Sequence, residues 1–300
     1  MNLTVRFSSV SGFHEDFCAI AHRFDADSGF SPQACESWVI HTDDSGEFNR
    51  CFGGPAWLTD VWYSETSRAY ITDSRGELTV LKDANRPGKG VQTKHELGAA
   101  LMGVSGATDE LVVAWGDSGP KHLMFRWDGK RWSDMPSPDG VVLDVAVVGT
   151  DLMMAVGEKG LIARWDGKRW HTFESPTRTH VSSIVVASPD EMYATAGRAL
   201  LEGSVHGWAK SLEAKAPLLG VAMLGKDLWV GGGENGLYRR KQKKLEVVKD
   251  NLEAEQMEGR KGLVVSANDF AGSSVDCKGF NGPEADAVIE SLEDTPPGWR

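Results

Sequence analysis

Apolar residues along this chain come in short runs. FCAIAHRF (Phe17–Phe24), LDVAVV (Leu143–Val148), MMAV (Met153–Val156), LIARW (Leu161–Trp165) and MYATA (Met192–Ala196) are each bounded by turn-forming residues. Runs this short, rich in Val, Leu and Ala, predict β-strands covered on both faces. Between them, Gly and Pro together fill 46 of 300 positions, which sets many short elements against a helix bundle.

The runs recur in a frame. RWDGKRW occurs as Arg126–Trp132 and again as Arg164–Trp170, displaced by 38 residues. Around each copy lie an apolar strand, a turn, a second strand ending in Gly plus an acid, a third strand and the WDG turn. A step of 76 residues carries Val145 to Val221, and GEKGLIAR at Gly157 to GENGLYRR at Gly233, without a gap. Steps back of 41 and then 43 carry Val145 to Val104 and Val104 to Val61. A weaker copy from Val181 to Trp208 has lost its WDG.

Four short strands per unit, at a period of about 40 residues, are the sequence signature of an all-β β-propeller. The units read as 58–97, 98–138, 139–177, 178–215, 216–251 and 252–282. FCAIAHRF, ESWVIHT and EFNRCF supply strands for a further unit in 1–57, so seven four-stranded blades, with six or eight as the alternatives, are expected in one domain over 1–282. The acidic stretch 283–300 falls outside the repeat. Unpaired edges invite aggregation, so the opening strand LTVRF (Leu3–Phe7) is expected to pair with the last strand. Trp132 and Trp170, at one position per unit, are expected to pack between blades.

The turn at Trp127-Asp128-Gly129 and Trp165-Asp166-Gly167 resembles a shortened Asp-box, the Ser/Thr-x-Asp-x-Gly-x-x-Trp hairpin of BNR propellers. Thr42-x-Asp44-x-Gly46 matches its first half, with Phe48 after it, and Asp25-x-Asp27-x-Gly29 is a looser echo. The wording is similar to blades of bacterial propellers and of photosystem II assembly factor propellers, over five of the seven units. In such a turn the Asp accepts backbone N–H groups and Gly takes a positive φ, so the motif is structural. Sialidases share the architecture, and that likeness implies an arginine triad, a nucleophilic tyrosine and a general acid. There is no Arg-Ile-Pro motif, and Tyr63, Tyr70, Tyr193 and Tyr238 all fall in or beside predicted strands.

Composition narrows the classes. The chain is 41% hydrophobic and 25% charged, as in globular proteins, and its net charge of −11 disfavours a phosphate backbone as partner. No stretch approaches the ~20 apolar residues of a membrane helix, and the start lacks the basic and apolar regions of an export signal, so a cytoplasmic location is expected. Cys18, Cys35, Cys51 and Cys277 match no metal or redox spacing and read as reduced thiols, with an N-terminal disulfide as the alternative in an exported chain.

Candidate chemistry gathers at turns. Asp117, Glu158 and Glu234 occupy one equivalent position between second and third strands, where they could attract a basic partner or instead cap their own turns. DSGPKH adds Lys121 and His122 there. Trp62, Tyr63 and Trp115 lie near strand ends, suited to an interface or to packing between blades. YRRKQKK (Tyr238–Lys244) falls where another unit has its WDG hairpin and reads as an outer, solvated hairpin. Asp25, Asp27, Gly29 and Glu36 imitate a calcium loop, but Phe30 stands where its glycine belongs, so a surface loop is expected and no metal.

No nucleophile motif, P-loop or dinucleotide fingerprint is present. The reading is a non-catalytic propeller without cofactor that binds another protein through rim loops, monomeric on its own. A bacterial immunity protein neutralising a basic toxin fits it. The alternatives are an assembly or scaffold factor, and a glycosidase-like enzyme using carboxylates such as Asp117 and Glu158, which would need ~5 to 9 Å between them.

Overall fold

The computed structural model describes residues 2–32, 34–43, 48–54, 56–86, 90–250, 252–266, 270–273 and 278–281. Asp44, Gly46, Cys277 and the stretch 283–300, all named above, lie outside the described residues. The chain forms seven four-stranded antiparallel sheets, each running in chain order from an inner to an outer strand, the blades of a β-propeller. They are β1 Leu3–Phe13, β2 Asp16–Asp25, β3 Cys35–Thr42 and β4 Phe48–Gly54; β5 Leu58–Tyr63, β6 Ala69–Asp73, β7 Glu77–Lys82 and β8 Val91–Glu96. Next come β9 Ala100–Thr108, β10 Leu111–Ser118, β11 Lys121–Trp127 and β12 Trp132–Met135, then β13 Val142–Gly149, β14 Leu152–Gly157, β15 Ile162–Trp165 and β16 Trp170–Thr172. The last three sheets are β17 Val181–Ser188, β18 Glu191–Ala196, β19 Ala199–Ser204 and β20 Gly207–Glu213; β21 Val221–Leu224, β22 Asp227–Gly231, β23 Leu237–Lys241 and β24 Lys244–Lys249; and β25 Gln256–Gly259, β26 Leu263–Ser266, β27 Phe270–Ser273 and β28 Lys278–Asn281.

Two compact units divide the chain, Met1–Leu101 with Glu258–Arg300, and Met102–Met257. In the second unit the packing follows from the two-residue period of a strand, which sends alternate side chains to opposite faces. Met153 and Ala155 of β14 pack with Leu111, Val113, Trp115 and Met124 of the preceding sheet. Met154 and Val156, one residue out of step, pack with Ile184, Met192, Ala194 and Leu201 of the following one. A strand used on both faces must be apolar at every position, which is why the second strands read as unbroken runs. The first unit repeats the device: Phe17, Ala19 and Ala21 of β2 pack with Val264 and Ala271, whereas Cys18 and Ile20 face Val61, Tyr63 and Ile71. Cys18, Cys35 and Cys51 are free and buried, as reduced thiols would be.

Face packing leaves the inner strands with backbone N–H groups that no fifth strand covers. Side chains of the preceding sheet take them. Asp144 Oδ2 on β13 accepts the Ile184 N–H at 2.8 Å, and Ser183 Oγ on β17 accepts that of Val221 at 3.4 Å. In the first unit Ser9 Oγ accepts the Val61 N–H at 3.2 Å and Ser11 Oγ that of Tyr63 at 2.8 Å. Ser9, Asp144 and Ser183 each stand one residue before an apolar inner-strand position, Val10, Val145 and Ile184, so the staple recurs with the repeat.

Leu3–Phe7 does not pair with the last strand. It is the first half of β1, whose ladder is with β2 from Leu3↔Asp25 to Phe13↔Asp16, because residues 1–57 hold four strands of their own. First and last sheets are joined by side chains instead. Glu258 of β25 accepts hydrogen bonds from Ser11 Oγ at 2.7 Å and the Gly12 N–H at 2.9 Å. Arg260 donates to Ser11 Oγ, to the Tyr63 carbonyl at 2.6 Å and to Glu258 at 2.8 Å, with its guanidinium 3.9 Å from the centre of the Phe13 ring.

Asp144→Ala removes a charged acceptor and strands the Ile184 N–H, so a loss of about 1.5 to 3 kcal/mol is expected in urea unfolding. Asp144→Asn, which keeps an acceptor oxygen, should recover part of it. Equal stability of Ala and Asn variants would show that the staple contributes nothing.

Candidate functional site

Each sheet of the 102–257 unit has two ends. The connector end carries the turn between second and third strands together with the link from one sheet to the next, and the two are hydrogen-bonded. Glu158 N–H bonds to the Val141 carbonyl at 3.0 Å, Leu218 N–H to that of Gly197 at 2.7 Å, and Gly233 N–H to that of Ala254 at 3.0 Å. Such turns are held rigid, so the side chains they carry have fixed origins.

Asp117, Glu158 and Glu234 stand on three of these turns; the fourth, after β18, has Arg198 in the same place, ion-paired to Glu213 at 3.0 Å. Asp117 is spent within its own hairpin on His122 Nδ1, 2.7 Å away, both half-buried. Lys121 is exposed beside them. Glu158 is half-buried on a single turn of 3-10 helix. Glu158 and exposed Glu234 have no side-chain partner among the described residues. Self-capping therefore accounts for Asp117 and leaves the other two carboxylates to solvent.

Trp62, Tyr63 and Trp115 sit in the interior, at 5%, 0% and 3% exposure. Trp62 and Tyr63 close β5 and Trp115 lies within β10, and packing there buries the whole ring. Tyr63 OH lies 3.3 Å from His41 Nε2, itself 2.8 Å from Asp16, and burial raises the Tyr63 phenol far above its ordinary range. These three residues belong to the packing and not to a surface.

At the hairpin end, opposite the connector end of each sheet, the WDG turns repeat atom for atom. Asp128 Oδ1 accepts the N–H groups of Lys130 and Arg131, and Asp166 Oδ1 those of Lys168 and Arg169, all at 2.9 Å. Gly129 and Gly167 follow with φ +88° and +93°, the left-handed region that a Cβ disfavours. Trp127 and Trp165 donate their indole N–H to Asp109 and Thr150 carbonyls, tying hairpin to the neighbouring first turn. Each faces its partner Trp132 or Trp170 at 5.6 Å. Trp170 also donates to the Pro136 carbonyl of the preceding sheet at 2.7 Å and packs on its core, an inter-blade contact as the repeat predicts. The Asp166 carboxyl is held well below the usual carboxylate range by His171 first, then by the Arg169 and Lys168 N–H groups.

YRRKQKK forms the outer hairpin β23–β24. Arg240 pairs with Glu202 at 2.9 Å over the Tyr193 ring, Arg239 reaches Asp227 at 3.6 Å, and Lys241 pairs with Glu246 at 2.8 Å. Burial works against ionised Glu202, but hydrogen bonds from Arg240 and Ser211 outweigh it and lower its pKa.

The Asp25–Ala34 loop in the first unit is folded down by Phe30, the residue that stands in the calcium-loop glycine position. Phe30 packs on Phe24 at 4.9 Å and Trp57 at 5.0 Å, with Arg6 over its ring. Asp25 Oδ1 is turned back onto the Asp27 N–H at 3.1 Å. Below lies His22, stacked on Trp57 at 4.2 Å and bonded to Ser8 at 2.7 Å and Ser37 at 2.8 Å. Burial, and secondarily Arg6, lowers its pKa to about 4.

No protein-family model and no curated protein matches this sequence. Its fold is similar to solved propellers. The WD40 β-propeller domain of Doa1 superposes with a TM-score of 0.68 at 10% identity, over 88% of this chain and 90% of that one. YCF48 bound to a D1 peptide superposes at 0.63 and 11% identity, over 89% and 91%. The computationally designed protein Ika8 gives 0.59 at 11%, over 88% and 93%. At these identities the likeness establishes the propeller fold alone. No helix among the described residues is long and apolar enough to cross a membrane.

His22 predicts an acid limb of stability. Its folded pKa lies below the ordinary ~6.5, so the unfolded chain takes up the proton first as pH falls. Nothing is lost above pH 6.5, and the penalty grows from there down to about 4. Between pH 7 and 4.5 the wild type should lose about 2 to 3 kcal/mol more than His22→Gln in urea unfolding. Parallel curves for the two would remove His22 from the account.

Proposed function

We propose that the chain is a non-catalytic propeller that binds another protein through the connector end of residues 102–257. What supports the reading is the pair Glu158 and Glu234: carboxylates without side-chain partners among the described residues, and carried on turns fixed by hydrogen bonds to the sheet links. Rigid presentation lowers the ordering cost of association, and unpaired carboxylates favour a basic segment on the partner. Lys121 and the Asp117–His122 pair flank this surface on its first turn. The similarity to a propeller solved with a peptide bound is in keeping with an extended ligand. Neutralisation of a basic toxin is the specific form of this reading that an acidic end accommodates.

Wild type and Glu158→Lys/Glu234→Lys, used as baits in the native cell extract, should differ in the basic proteins they recover. Identical sets would overturn the proposal. If the partner arrests growth when expressed alone and co-expression of this chain relieves the arrest, the toxin form holds; a partner harmless alone makes the chain an assembly factor.

A further inference from the structure

The hairpin end of the 102–257 unit separates its charges by position. The tips between third and fourth strands carry a basic excess: Lys130 and Arg131 beside Asp128, Lys168 and Arg169 beside Asp166, then Lys243 and Lys244, with His206 on the tip between. These lysines and arginines and His206 are all exposed. Three of the turns between first and second strands are acidic, with Asp109 and Glu110, Asp151, and Asp190 and Glu191, whereas the fourth sets Lys226 beside Asp227. Each tip abuts the turn of its own sheet: Trp127 bonds to the Asp109 carbonyl, Trp165 to that of Thr150, the Val205 N–H to that of Pro189, and Arg239 pairs with Asp227.

The four sheets follow one another through continuous apolar packing, so the tips form a sequence of cationic points outside a sequence of anionic ones. The charge of −11 does not weigh on them, because residues 102–257 hold 19 of the 32 basic residues and 21 of the 43 acidic ones. The duplicated heptad has a second implication. Its tryptophans, aspartate and glycine build the turn, and from the Lys-Arg pair the turn uses backbone groups, the two N–H groups and the Arg carbonyl. Lys130 and Lys168 have no side-chain partner among the described residues.

We propose that this arc of tips is a second interaction surface, which takes an acidic segment of a partner protein. A carboxylate-bearing chain can place its charges against the tips and keep them off the inner acids. A nucleic acid cannot, with a phosphate every few ångströms and a need for open aromatic faces. Trp127 and Trp132, and Trp165 and Trp170, face each other instead.

The test uses fluorescein-labelled decaglutamate as probe, with the full chain. Binding should be measurable at low salt, weaken as salt rises, and fall at least tenfold in Lys130→Glu/Lys168→Glu. Arg178→Glu/Lys215→Glu changes the net charge equally but alters exposed residues of the connector end, and should retain wild-type affinity. Unchanged thermal melting of both variants shows that folding is not what was lost. Glu158→Gln/Glu234→Gln should leave decaglutamate binding intact, which separates this surface from the one proposed above. Absence of binding, an equal loss in the two charge-reversed variants, or tighter binding of a decameric single-stranded DNA would each overturn the proposal.

Discussion

A sheet stacked face-on between two others has its faces closed by apolar contact, but its innermost strand still points backbone N–H groups away from any partner strand. Burying such groups unpaired would cost about 1 to 3 kcal/mol each. The chain answers with polar residues on inner strands, Asp144 and Ser183 in one unit and Ser9 and Ser11 in the other, each accepting an N–H from the next sheet. That requirement explains the otherwise odd Asp within LDVAVV. It also couples neighbouring blades by direction as well as by area, since a hydrogen bond fixes the rise of one inner strand against the next where apolar contact alone would allow sliding.

With the inner strands fixed, the turns at both ends become fixed points, and chemistry is left to side chains that the turns do not consume. The connector end consumes Asp117 and leaves Glu158 and Glu234. The hairpin end consumes Asp128 and Asp166 and leaves the lysines beside them. Charge at a turn therefore carries information only after the local hydrogen bonds have been subtracted.

The sequence made the repeat legible because both its periods, the alternation within a strand and the ~40-residue spacing of units, are local. Seven sheets of four strands could be read from RWDGKRW and its echoes, even where the WDG was lost between Val181 and Trp208. The joining of first and last sheets could not, since Ser11 and Glu258 are 247 residues apart and neither stands in a motif. Extrapolating edge pairing to Leu3–Phe7 failed for a related reason: the N-terminal residues had to supply an inner strand before they could supply a seal. Trp62, Tyr63 and Trp115 stood open between interface and packing because an aromatic in or near the end of a strand has the same pattern whether its ring points outward or between sheets, and only burial distinguishes them.

Whole-chain charge leaves a similar choice open, because it averages. A net −11 describes no particular surface when the 102–257 unit is nearly balanced and sorts its charges between the tips of its hairpins and the turns beneath them. Electrostatic recognition depends on fields within about a Debye length of 8 to 10 Å, so an arrangement repeated once per blade matters more than the sum over 300 residues. A repeat protein is suited to such an arrangement: the turn that fixes Lys130 and Arg131 fixes Lys168 and Arg169 by the same backbone bonds, so a charge placed on one copy of the heptad is placed again on the other.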